Sequence, residues 1–219
     1  LHRMFKILTL NNISIAGLDR LPRDKYEVAS EITHPDAILV RSANMHEMDI
    51  PGTVKAIGRA GAGVNNIPVQ QMSRRGVPVF NAPGANANAV KELVIAGMLL
   101  AARNIAQAWE FARRLEGDDA GIHKSVESGK KRFVGFELPG RTLGVIGLGA
   151  IGVQVANAAR ALGMNVIGYD PTITVQRAWQ LESDVEAALS VDDLVSRSDF
   201  ISFHVPLTDE TRNMINADR

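Results

Sequence analysis

Glycines at positions 147, 149 and 152 stand between a short apolar run and a helical pattern, and no other feature constrains the fold of this chain as tightly. Residues 143–146 read as a strand, and residues 151–162 as a helix stopped by Gly163. A second strand over residues 165–169 ends in Asp170, roughly twenty residues beyond the first glycine. Alone, G-x-G-x-x-G is weak evidence in a chain with 19 glycines. Strand, helix and acidic residue in register make it strong, and together they specify a βαβ unit in a parallel sheet.

Each residue type in the motif has a physical task. Gly147 permits the tight strand-to-helix turn, Gly149 leaves room for a phosphate against the backbone, and Gly152 lets the helix pack closely on the strand. The unpaired N–H groups at the helix start, those of Ala150 and Ile151 among them, favour an anion, as does the positive end of the helix dipole. Asp170 is expected to accept hydrogen bonds from ribose hydroxyls and to repel a 2′-phosphate. Pro171-Thr172 follows it with no adjacent Arg, so the expected cofactor is NAD and not NADP. FAD and S-adenosylmethionine are the other ligands that such a turn accommodates.

Composition narrows the function classes. Basic and acidic residues number 24 each, so no net field invites nucleic acid or an anionic membrane. A local cationic pocket for a small anionic substrate is compatible with that balance. The absence of Cys excludes disulfides, thiolate catalysis and cysteine zinc sites, and fits a reducing cytoplasm. The apolar stretch at residues 93–102 is too short to span a bilayer. No secretory signal opens the sequence; Met4 reads as a natural start, with Leu1, His2 and Arg3 as additions before it.

Upstream of the motif, apolar runs at residues 5–10, 26–29, 37–40, 54–57 and 77–80 read as strands of a parallel sheet covered on both faces. From Asn88 the period becomes helical through Val90, Leu93, Val94, Met98, Ala101, Ala102 and Ile105, predicting one helix to about Leu115. Residues 117–131, rich in glycine and charge, read as an irregular, mobile connection. Pro, Gly and Asn cluster at residues 83–88 and mark a boundary between residues 1–87 and 88–219.

Ligands of parallel sheets bind beyond the carboxyl ends of the strands. There Arg41-Ser42 offers a guanidinium and a hydroxyl, and Gly61-Ala62-Gly63 offers successive N–H groups for a carboxylate. Asn81 to Asn88 adds amides beside a helix start. A surface ion pair for Arg41 and plain turn chemistry for the glycines are the alternatives. The histidines at 2, 34, 46, 123 and 204 read as solvated or structural, and Asp184, Glu186, Asp192 and Asp193 as a solvated helix face, so no metal site is expected.

Taken together, Gly58 to Ile67, Val77 to Asn86, Glu92-Leu93, the residues from Leu143 to Gly152, Gly168-Tyr169-Asp170-Pro171 and His204-Val205-Pro206-Leu207-Thr208 closely resemble the D-isomer-specific 2-hydroxyacid dehydrogenases. The resemblance runs from Met4 through essentially the whole chain. It implies an α/β protein in which a doubly wound parallel-sheet Rossmann domain for NAD, residues 88–219, is inserted in a smaller flavodoxin-like α/β substrate domain, residues 1–87. It further implies that both are incomplete at the C-terminus. By position, Arg41, Ser42 and the backbone of Gly61, Ala62 and Gly63 would face the anionic groups of a 2-hydroxy acid. Asn86 to Leu93 would lie near the nicotinamide, and His204, Val205 and Pro206 along the adenosine side. A homodimer through the helix from Asn88 is expected.

The chemistry implied is hydride transfer between C2 of the hydroxy acid and NAD, with a His as acid and base, a Glu that orients it and an Arg that clamps the carboxylate. None of these matches a position here; their motifs are expected after Arg219, and no catalytic residue is assigned. A non-catalytic module that binds or senses NAD(H), or a reductase of glyoxylate or hydroxypyruvate, is the alternative reading.

Overall fold

Apolar runs without polar alternation pair in parallel, because a sheet covered on both faces has no wet side to carry a polar stripe. In the computed structural model, which describes residues 3–217, such runs build two separate parallel sheets. The expectations for Leu1, His2 and Arg219 concern positions outside the described residues. Contacts divide the chain into two units, the first ending at Asn86 and the second starting at Ala87.

The first unit holds β1 (Phe5–Leu10), α1 (Ile15–Leu18), β2 (Tyr26–Ala29), β3 (Ala37–Val40), β4 (Ala56–Arg59), α2 (Val69–Arg74) and β5 (Val79–Phe80). Its five strands are ordered β2-β1-β3-β4-β5, all parallel, which is the flavodoxin-like order with its reversal between β1 and β3. Ile38, Ile57, Met45, Ile67 and Met72 form a fully buried core.

The second unit holds α3 (Ala87–Arg103), α4 (Ile105–Ala112), α5 (Asp119–Gly129), β6 (Thr142–Ile146), α6 (Ala150–Ala161), β7 (Asn165–Tyr169), α7 (Val175–Ala178), β8 (Glu186–Ala187), α8 (Val191–Arg197) and β9 (Phe200–Phe203). Its sheet runs β8-β7-β6-β9, also parallel, the opening order of a doubly wound Rossmann sheet. Leu143, Val145, Val155, Ala156, Ala159 and Met164 fill the core beneath, and Met98 and Ala102 bring α3 into it. The small Ala156 and Ala159, fully buried, keep α6 close to its neighbours.

Three expectations are corrected. The helix predicted from Asn88 to about Leu115 is two helices, because Asn104 takes the left-handed conformation with φ 51°. Asn tolerates that region, and the carbonyl freed at Ala102 accepts the N–H of Phe136 at 2.9 Å. Residues 117–131 contain the ordered helix α5, capped by Asp118, whose carboxylate accepts the Gly121 N–H at 2.8 Å. Gly129, which reads as a helix breaker, lies against the ring of Phe111, where a Cβ would not fit. Finally, the acidic residues share no helix face. Asp192 and Asp193 open α8, Glu186 sits on β8, and Asp184 and Glu186 pair with Arg160 and Arg197.

Strand limits also shift. β4 runs through Gly58 to Arg59, in register with Val40, where the glycine had obscured the strand. β5 is shortened by Pro78, which has no N–H to give, although its carbonyl accepts from Ile57 at 3.0 Å. Among the described residues, no helix is long and apolar enough to cross a membrane, and no group of three or more His, Cys, Asp or Glu is placed to hold a metal.

Candidate functional site

In the second unit the strand order reverses between β6 and β9, and the crevice beyond their carboxyl ends is where such sheets bind ligands. The glycine turn lies there. Gly147 has φ 91°, and a Cβ on it would meet the His204 carbonyl oxygen at 2.6 Å and the Val205 side chain at 2.8 Å. Its N–H donates to the Tyr169 carbonyl at 2.9 Å, while the His204 N–H donates to the Ile146 carbonyl at 2.8 Å. The turn is thus wedged between the ends of β7 and β9.

Gly152 meets that turn from the other side. A Cβ there would stand 1.9 Å from the Gly147 carbonyl oxygen, so α6 touches the turn backbone to backbone. Gly149, the N-cap of α6, has open space around its missing Cβ and offers no side-chain cap to the first turn. The half-buried Ala150 and Ile151 follow, and the first-turn amides of a helix have no intrahelical partner. An uncapped helix start beside an empty position fits a pyrophosphate.

Asp170 stands at the end of β7, and its carboxylate also supports this turn. Its Oδ2 accepts the Leu148 N–H at 2.8 Å, and its Oδ1 accepts the Thr172 N–H at 2.9 Å and the Thr172 hydroxyl at 3.0 Å. Beside it lies a mainly aliphatic cavity of about 320 Å³, lined by Leu148, Pro171, Ile173, Leu181, Val185 and Ala188 among others. Gly147, Gly149, Ala150, Ile151, Gly152, Asp170, His204 and Val205 therefore surround one turn. Pro206 is exposed just beyond, its carbonyl accepting the Thr211 hydroxyl at 2.6 Å.

In the first unit the reversal between β1 and β3 puts Asn11 beside Arg41 and Ser42. Asn11 Oδ1 accepts the N–H groups of Ser42 and Ala43 at 2.9 and 2.6 Å. From the end of β4, the Arg59 Nε donates to the Arg41 carbonyl at 3.0 Å. The N–H of Gly61 is turned inward to the Arg59 carbonyl at 2.9 Å, so among the described residues the amides of this loop left open are those of Ala62 and Gly63. Asn81 holds the Ala62 carbonyl at 2.6 Å. Among the described residues, neither Arg41 nor Arg59 forms an ion pair.

Residues 95–219 match the family model for the NAD binding domain of D-isomer specific 2-hydroxyacid dehydrogenases. The chain belongs to this family. A D-3-phosphoglycerate dehydrogenase of Methanocaldococcus jannaschii is 43% identical over 198 residues, covering 89% of this chain and 35% of that protein. A hydroxypyruvate reductase of Thermotoga maritima is 40% identical over 199 residues, 89% of this chain and 59% of that protein. The NAD+-bound structure of 3-phosphoglycerate dehydrogenase from Entamoeba histolytica superposes with a TM-score of 0.69 at 27% identity, covering 95% of this chain and 65% of that one. The chain spans 35–40% of the length of the phosphoglycerate dehydrogenases that match it first.

Sequence reading missed Asn11 and Arg59 in the first unit and Thr172 in the second. The first two stand at strand ends, a signal that topology supplies once the strand order is known. Thr172 carried no signal, being one polar residue in a turn.

Burial lowers the affinity of the half-buried His204 imidazole for a proton, moving it below the usual 6.5. Its Nε2 lies 2.8 Å from the Ser202 hydroxyl. The unfolded chain takes up this proton near 6.5, so the stability held above that pH is lost as pH falls from 6.5 through the lower folded value. NMR titration should place the His204 midpoint below 6.5, and urea unfolding should weaken over that window more in wild type than in His204→Gln. Equal slopes for the two proteins would contradict this.

The glycines give a sharper test. Gly152→Ala must push α6 off the turn and should cost about 1–3 kcal/mol in unfolding experiments. Gly149→Ala, with free space, should change stability by less than about 1 kcal/mol. It should nevertheless weaken NADH binding, followed by fluorescence, about tenfold or more, if the methyl group enters the open position expected to take the pyrophosphate. Wild-type affinity in Gly149→Ala would remove the pyrophosphate from this position.

Proposed function

We propose that the complete protein is an NAD-dependent oxidoreductase of D-2-hydroxy acids, and that its substrate is 3-phosphoglycerate, oxidised to 3-phosphohydroxypyruvate as at the entry to serine synthesis. The uncapped start of α6 beside the open Gly149 carries the cofactor half of this reading. When bound, NAD+ would supply the acceptor for the hydride leaving C2, the hydroxyl proton passing to a general base. The backbone amides at Ala150 and Ile151 would hold the pyrophosphate, and Asp170 would hold the ribose.

The substrate half rests on charge. Arg41 and Arg59 lie at the ends of adjacent strands without an acidic partner among the described residues, so two guanidinium groups await anions. A substrate with both a carboxylate and a phosphate supplies two; glyoxylate and hydroxypyruvate supply one. The names of the relatives divide in the same way, between phosphoglycerate dehydrogenase and hydroxypyruvate reductase. The complete protein should therefore oxidise NADH, followed at 340 nm, with 3-phosphohydroxypyruvate at a kcat/KM at least about tenfold above that with hydroxypyruvate or glyoxylate, a ratio worth about 1.4 kcal/mol. Preference for an unphosphorylated acid would reject phosphoglycerate and retain the class. NADH binding without turnover on any of them would favour a sensing module.

We also propose a homodimer through α3 and α4. Leu93 and Trp109 are 71% and 61% exposed, and Leu99, Leu100 and Ile105 are exposed beside them in sequence, more large apolar side chain than a solvated helix pair carries. Sedimentation should give twice the chain mass, and Trp109→Glu should shift it toward the monomer. A monomeric wild-type protein would refute the assignment.

A further inference from the structure

We propose that Thr172 is a second ribose ligand, acting in series with Asp170; the inference rests on the reading of this site as one for NAD. A carboxylate has about four acceptor positions, two on each oxygen. Leu148 N–H fills one on Oδ2, and the N–H and hydroxyl of Thr172 fill two on Oδ1. Oδ1 is then saturated, and Oδ2 retains a single position. The adenosine ribose presents two vicinal hydroxyls, each with a proton to donate. In this arrangement Asp170 serves one of them.

Thr172 serves the other. Its hydroxyl donates its own proton to Asp170 Oδ1 at 3.0 Å, so both oxygen lone pairs remain for an outside donor. The residue is exposed, at the surface beside the carboxylate. Donation to an anion also strengthens the hydroxyl as an acceptor, because the two hydrogen bonds polarise each other. The result is a chain in which one ribose hydroxyl donates to Thr172 Oγ1, which donates to Oδ1, while the second donates directly to Oδ2. No proton changes owner.

The test compares Thr172→Val with Thr172→Ser by NADH titration of the complete protein, with thermal unfolding as the check on folding. Thr172→Val, nearly isosteric, should raise the dissociation constant for NADH about three- to tenfold, and Thr172→Ser should restore it. A ligand-side cycle separates recognition from structure: with one of the two ligands 2′-deoxy- and 3′-deoxy-NADH (adenosine ribose), the one lacking the hydroxyl that Thr172 serves, wild type and Thr172→Val should bind alike, while the other should preserve their difference. Unchanged or tighter NADH binding by Thr172→Val would show that the threonine only competes with the ribose. A loss that persists with both deoxy ligands would assign it a structural role. Absence of NADH binding by wild type would instead overturn the NAD reading, and this inference with it.

Discussion

The contact between the backbone at Gly152 and the carbonyl oxygen of Gly147 governs the second unit. With 1.9 Å from that oxygen to an ideal Cβ, no side chain can stand at position 152. The close approach fixes where α6 begins relative to β6, and hence where its first amides are presented. Gly147 transmits the same constraint to the end of β9, since its own missing side chain is filled by the His204 backbone. An uncapped helix start is common in proteins; this one is held by close backbone contact with a turn that hydrogen bonds and packing tie to the ends of β7 and β9.

Topology then decides which residues can meet a ligand. In each unit one pair of neighbouring strands marks a reversal, β1 with β3 and β6 with β9. Chain segments leave such a pair in opposite directions, so a crevice opens that no connection crosses. Arg41 and Asn11 stand at one reversal, Gly147 and His204 at the other. Their chemistry differs as their positions require. The first offers guanidinium groups and amides, suited to acid groups of a substrate, and the second offers backbone N–H groups and one carboxylate.

Much of this was legible beforehand because it depends on local rules. Gly147, Gly149, Gly152 and Asp170 have fixed spacing, so strand, turn and helix can be placed without tertiary information. The parallel class followed from unalternating runs such as Ala37–Val40. The break at Asn104 was not legible, since apolar spacing continues through it and only the crossing chain at Gly135 and Phe136 makes it favourable. Helix α5 was hidden by its glycines, one of which is required by Phe111, distant in sequence. Arg59 was obscured by a strand limit drawn two residues early. In each case the deciding contact joins residues far apart in the chain.

Asp170 accepts from Leu148 inside the glycine turn while its other oxygen faces Thr172. In the proposed reading, ribose recognition and the shape of the glycine turn are therefore not independent variables. If Asp170 takes the ribose as proposed, occupancy of that position would steady the loop proposed for the pyrophosphate, a positive coupling between two fragments of one ligand. Adenosine and pyrophosphate moieties bound separately would give affinities that do not sum to that of the joined molecule. Any loss caused by removing the carboxylate would likewise contain both parts, and so overstate the ribose contact taken alone.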